Sequence, residues 1–183
     1  AIKVGSSAIG VKAAFAHTAS ENKGHSNEEY NKLFDESGVL REKTWQEFLD
    51  TSLALGNCPP LRGDNVVIIT NGGGAGLLAA DHFERLGMPL KEISPDLRDN
   101  IRKYMPAFGS PLNPVDISGT ATSDMYGGAL KTAYRDENVD GILISVCPTA
   151  VTDVEAITET VINIYRQYKN LGKPFIMECQ GGN

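Results

Sequence analysis

Cysteine is scarce in this chain and never paired. Cys58, Cys147 and Cys179 are the only three in 183 residues. They form no CxxC spacing and are odd in number, which fits reduced thiols in a cytoplasm better than a disulfide framework. Histidine is equally scarce: the three histidines never cluster with cysteine at ligand spacing, so no structural zinc site is expected. No apolar run approaches the roughly 20 residues of a membrane span, and no signal peptide is recognisable. Positive charge is in deficit. With 17 Lys and Arg against 23 Asp and Glu the net charge is -6, which argues against nucleic acid and against an anionic membrane surface. No internal repeat and no low-complexity tract interrupts the chain.

What is present reads as alternating strands and helices. Residues 5–25 are rich in Gly, Ala and Ser, with weak periodicity. Ser26 with Glu29, and Thr44 with Glu47, form S/T-x-x-E capping boxes that open two helices. Trp45, Phe48, Leu49 and Leu53 fall on one face of the second, which Gly56 is expected to end. "NCPPLRGDN" is a break, and a boundary is placed there, giving segments 1–62 and 63–183. After it, "VVIIT" (66–70) is a short continuous apolar run, as in a strand covered on both faces. "NGGGAG" and a helical stretch follow. Ser94 caps a helix with Pro95 at its first position. "NPVDI" turns into a short strand, Ser123 opens a helix, "DGILISV" is a second buried strand, and 154–168 is a long amphipathic helix. "KPFIMEC" is the last strand. Such alternation predicts an α/β fold, a parallel sheet between helical layers. "AIKVG" and "KPFIMECQGGN" read as elements cut short, so a longer parent chain is expected.

The strand, Gly-rich turn and helix at 66–86 carry the clearest chemistry. Glycines let backbone N–H groups approach a ligand, and the helix N-terminus adds partial positive charge and free donors. Together they suit an anion, usually phosphate. A plain tight strand–helix connection is the alternative. The spacing Gly74-x-Gly76-x-x-Ala79 satisfies a dinucleotide fingerprint, but its glycines are out of register with the strand end and no ribose-binding acid follows about 20 residues on. A P-loop is excluded, since no Gly-Lys-Ser/Thr is present.

His17, in "AAFAHTAS", has only small and hydroxyl neighbours. Imidazole can carry a phosphoryl group covalently, and a loop of small residues suits a mobile carrier. A surface histidine in a loop is the plainer reading. His25 and His82 read as surface residues. Ligands of open α/β sheets bind at the carboxyl ends of strands, which brings "NPVD" (Asn113–Asp116) and "CPTAVTD" (147–153) into view. Thr149 and Thr152 are candidate hydrogen-bond donors to an anion, with Thr152 or Asp153 also a candidate helix cap.

In order along the chain, "KVGSSAIGVKAAFAHTAS", "TNGGGAGLLAAD", "NPVDISG" and "CPTAVTD" resemble the ADP-forming acyl-CoA synthetases, the acetate–CoA ligase alpha-subunit relatives of succinyl-CoA synthetase. The combination is specific although each piece alone is not. Ala19 and Ser6 depart from the family pattern, which has glycine and a basic residue there, and Gly74-Ala75 replaces the usual Gly-Pro.

The resemblance implies a three-layer αβα flavodoxin-like domain at 63–183, preceded by a phosphohistidine-loop and helical segment at 1–62. It implies reversible formation of ATP from ADP, phosphate and an acyl thioester through a phosphohistidine. By the match, that residue is His17. Asn71, Gly72, Gly73 and Gly74 are then the phosphate-binding turn, with Thr70, Asn113, Asp116 and Thr149 as further pocket candidates and no metal held by these residues. The complete enzyme is expected to use CoA, ATP/ADP and Mg²⁺, none of them assigned to this fragment, which is expected to be inactive alone. An upstream CoA-binding Rossmann domain, an ATP-grasp domain or subunit and an oligomer are expected. The same modules occur as the CoA-sensing regulatory part of protein acetyltransferases, an alternative to the ligase, as is a simple anion-binding flavodoxin-like domain.

Overall fold

The structure is a computed structural model and describes residues 1–3, 9–10 and 26–181. The chain divides into two compact units, Ala1–Asn57 and Cys58–Asn183. His17 lies outside the described residues, as does Ser6.

In the first unit, helix α1 (Asn27–Glu36) and helix α2 (Trp45–Asn57) each start on the expected box. Ser26 Oγ accepts from Glu29 N at 3.2 Å, and Glu29 Oε2 accepts from Ser26 N at 2.6 Å. Thr44 Oγ1 and Glu47 exchange the same pair at 3.1 and 2.9 Å. The backbone N–H groups of Thr44 and Lys43 hold the Glu47 carboxyl below its ordinary range, since bonds to the charged form favour it. The apolar face expected for α2 exists but is not buried: Trp45 is 63% exposed and Leu53 69%.

The second unit is α/β. Its strands are β1 (Val66–Thr70), β2 (Val115–Asp116), β3 (Gly141–Val146) and β4 (Phe175–Cys179). They form one sheet in the order β2-β1-β3-β4, and every pairing is parallel. Helix α3 (Gly73–Arg85) follows β1, α4 (Pro95–Arg102) precedes β2, α5 (Ser123–Arg135) links β2 to β3, and α6 (Val154–Tyr168) with the short 3₁₀ turn Lys169–Leu171 links β3 to β4.

The two faces of the sheet differ. Val67 and Ile69 join Ile142 and Ile144 in a core completed by Leu97 and Ile101 of α4, Tyr126, Leu130 and Ala133 of α5, and Ile157, Val161 and Ile164 of α6. Ile68 points the other way and is also fully buried. On that face α3 packs over β1 and β2. It sits close because Gly76 has no side chain: a Cβ there would be 3.0 Å from both Pro114 Cβ and Thr70 Cγ2. Burial on both faces is why β1 is apolar throughout rather than alternating. Among the described residues no helix is long and apolar enough to cross a membrane.

Candidate functional site

In this strand order the chain leaves β1 toward β2 and then crosses to β3 on the other side of β1. The crevice at the carboxyl ends of β1 and β3 is therefore the topological switch point, where open α/β sheets take ligands. Four segments meet at this edge: Thr70–Gly74 after β1, Asp116–Gly119 after β2, Cys147–Asp153 after β3, and Gln180 after β4.

The turn after β1 is built from the strand outward. Thr70 is buried, and its Oγ1 accepts from Gly72 N at 3.0 Å while lying 3.3 Å from Gly72 O. Gly72 is the N-cap of α3 with extended backbone, and no side chain caps the helix. The first helical bond is Gly76 N to Gly72 O at 3.1 Å. The N–H groups of Gly73, Gly74 and Ala75 thus lie ahead of the helical ladder, the donor set a helix N-terminus offers an anion. Gly72 N–H is already committed to Thr70.

Asn71 is 3% exposed and spans the switch point. Its Oδ1 accepts from Cys147 N at 2.7 Å and from the Tyr126 hydroxyl at 2.9 Å, and its Nδ2 donates to Cys147 O at 2.9 Å. Burial pushes the Tyr126 phenol well above its ordinary value, so it remains a neutral donor. Asp116 Oδ1 accepts from Ser118 N at 2.8 Å, and Ser118 takes a left-handed backbone, φ 78°. The other carboxylate oxygen of Asp116 faces Gly73: a Cβ on that glycine would lie 2.6 Å from it. Thr149 Oγ1 donates to Gly119 O at 3.1 Å, joining the third segment to the second. Among the described residues no group of three or more His, Cys, Asp or Glu is placed to hold a metal ion.

The Ligase-CoA domain matches residues 66–182, starting on the first residue of β1 and running past the last strand. The chain belongs to the Ligase-CoA domain family. It is 42% identical over 183 residues to the acetate–CoA ligase (ADP-forming) I subunit alpha of Pyrococcus furiosus, covering 99% of this chain and 38% of that one. It is 35% identical over 161 residues to the acetate–CoA ligase (ADP-forming) I of Archaeoglobus fulgidus, covering 88% of this chain and 23% of that protein. Among solved structures it is similar to acetyl-coenzyme A synthetase 1 of Ca. Korarchaeum cryptofilum in complex with phosphate and ADP, with a TM-score of 0.90 and 32% identity over 99% of this chain and 38% of that one. The chain therefore spans well under half the length of these relatives.

Within the Ligase-CoA domain, Thr70, Asn71, Gly72, Gly73, Gly74, Asp116 and Thr149 all gather at one sheet edge. Their roles divide more finely than spacing suggests. Gly73 and Gly74 present the open N–H groups, whereas Thr70 and Asn71 spend their side chains on shaping the turn. Asn113 does not join this edge. Its Oδ1 accepts from Ile68 N at 3.1 Å, and its Nδ2 donates to Val66 O at 2.8 Å and Lys91 O at 3.0 Å. An amide side chain here imitates a strand and extends the sheet beside β1, below the short β2. Of the two cap candidates, Asp153 caps α6 through Ala156 N at 3.0 Å, and Thr152 bonds Thr149 instead. Tyr126 is not legible as a site residue. Tyr126 sits on the apolar stripe of α5, where an aromatic reads as core, and its partner Asn71 is 55 positions away.

Proposed function

We propose that the chain is part of an ADP-forming acyl-CoA synthetase that interconverts acyl-CoA, ADP and phosphate with carboxylic acid, CoA and ATP. The observation that carries this reading is the uncapped glycine N-terminus of α3 at the switch point, in a domain whose relatives are ADP-forming acetate–CoA ligases. Gly73 and Gly74 donate to the oxygens of the transferring phosphoryl group. Preorganised donors of this kind stabilise the charge spread over those oxygens without reorganising during transfer.

His17 is the phosphocarrier, on the strength of the family pattern around it. Phosphate attacks the thioester carbonyl carbon and the C–S bond breaks, giving acyl phosphate and CoA; the imidazole nitrogen then forms a bond to phosphorus as the P–O bond to the carboxylate breaks, which releases the carboxylic acid. Attack by the terminal phosphate oxygen of ADP then breaks the P–N bond, yields ATP and restores neutral imidazole. CoA, nucleotide and Mg²⁺ bind in the complete enzyme, through a CoA-binding Rossmann domain and an ATP-grasp domain or subunit. The complete enzyme is an oligomer of the cytoplasm.

The test is to incubate the complete enzyme with γ-labelled ATP, with and without His17→Ala. An acid-labile, base-stable label that disappears with His17→Ala is the expected result. An unlabelled wild type, with the nucleotide-binding part shown to be active, would replace the ligase by the regulatory CoA-sensing reading.

A further inference from the structure

Tyr126 lies in the first turn of α5 and is fully buried. Its ring belongs to the core, yet its hydroxyl reaches across to the switch point. There it stands between two carbonyl oxygens, Asn71 Oδ1 at 2.9 Å and Ser145 O at 3.1 Å. The Asn71 amide in turn grips both the N–H and the C=O of Cys147. One hydroxyl thus ties α5 to the ends of β1 and β3 together.

We propose that Tyr126 is a positioning residue for the phosphate-binding turn, acting through Asn71. Asn71 is the residue immediately before Gly72, so its side-chain position sets where the open N–H groups of Gly73 and Gly74 point. The phenolic hydrogen is what lets two carbonyl oxygens approach the same buried spot. Without it, Asn71 Oδ1 keeps only the Cys147 N–H, and Ser145 O loses its hydroxyl donor. Ser145 O is main chain within β3, so the relaxation falls on the Asn71 amide and on Cys147, which that amide holds at both N–H and C=O. That shift is transmitted to the turn, where Gly72 already touches Cys147 and has no slack: a Cβ on Gly72 would lie 2.4 Å from Cys147 Sγ. Small displacements of donors aimed at a reacting group carry large penalties.

The inference rests on the reading of Gly73 and Gly74 as phosphate donors, and the experiment separates the two. In the complete enzyme, KM for inorganic phosphate and for acetyl-CoA is measured in the ATP-forming direction for Tyr126→Phe, Ile157→Val and Gly73→Pro, the last of which removes the N–H at the first helical position, where proline is tolerated. Ile157 is fully buried in the core contributed by α6, so its variant reports on general loss of stability. Tyr126→Phe is expected to raise the phosphate KM by about tenfold and leave the acetyl-CoA KM unchanged. Ile157→Val is expected to change neither, with thermal midpoints recorded for all three. If Gly73→Pro raises the phosphate KM and Tyr126→Phe does not, the positioning role is wrong and the turn stands. If neither raises it, both fall. If Tyr126→Phe and Ile157→Val raise both constants alike, Tyr126 is a core residue and nothing more.

Discussion

Gly72 and Cys147 are packed so closely that the ideal Cβ of any other residue at position 72 would lie 2.4 Å from Cys147 Sγ and 3.0 Å from its Cβ. The glycine is therefore required by its neighbour as well as by the turn. Gly72→Ala is expected to destabilise the domain by about 1–3 kcal/mol, the usual range for overpacking. Adding Cys147→Ala removes the nearer clash but keeps the second, so the double variant should recover part of the loss. Equilibrium unfolding of the two single variants and the double measures the coupling. Strict additivity would show that the two side chains do not compete for the same space.

Tyr126 and Tyr134 make stability sensitive to alkali. Burial raises both phenols above their ordinary value. The unfolded chain ionises its tyrosines near pH 10 while the folded one keeps these two protonated. Their contribution is fully present below about pH 10 and falls as pH rises above it, because the folded state then holds more protons than the unfolded. The midpoint of urea unfolding should drop between about pH 9.5 and 11. Tyr134→Phe should make that decline shallower by up to about 1.4 kcal/mol per pH unit, whatever it does to stability at neutral pH. An unchanged slope would place the alkaline sensitivity elsewhere.

The elements of the second unit were largely readable because their cause is local. β1 is an unbroken apolar run, Ser94 and Pro95 mark the start of α4, and α6 carries its apolar residues at helical spacing. The two capping boxes of the first unit are legible for the same reason. The site was legible only as a neighbourhood. That Thr70, Gly73, Asp116 and Thr149 share one edge follows from a parallel sheet, since each ends or follows a strand. What each does depends on contacts at long separation. Asn71 reads as a ligand residue in "TNGGG", and its amide is clamped on Cys147, 76 positions on. Asn113 reads as a pocket residue in "NPVD" and pairs with β1. No sequence period reports such a contact. The exposed apolar face of α2 shows the converse, a correct periodicity whose burial does not follow from it.

The division of roles between parts of the enzyme gives a further test. In the proposed function the donors at the start of α3 hold a phosphoryl group, and CoA and nucleotide are assigned to other parts of the enzyme. The 183 residues alone are expected to show no ATP-dependent formation of acyl-CoA, and activity should appear when the nucleotide-binding and CoA-binding parts are supplied. Turnover by the isolated chain, followed as ADP release dependent on both CoA and a carboxylic acid, would show that the chain binds more than this reading assigns to it.

Asn113 offers the cleanest separation of fold from function. Its amide makes three bonds to main chain, at Ile68, Val66 and Lys91, and β2 supplies only two residues of regular pairing beside β1. The side chain is thus a substantial share of what holds that sheet edge. Asn113→Ala leaves an N–H and a C=O of β1 without partners, which is expected to cost about 2–4 kcal/mol. Asn113→Asp should be at least as damaging, since a carboxylate keeps the bond to Ile68 N but places negative charge against the carbonyls of Val66 and Lys91. Because Asn113 stands off the carboxyl edge, the fraction that remains folded should keep the wild-type phosphate KM. Denaturant titration gives the first quantity and steady-state kinetics of the complete enzyme the second. A raised phosphate KM at unchanged stability would return Asn113 to the pocket.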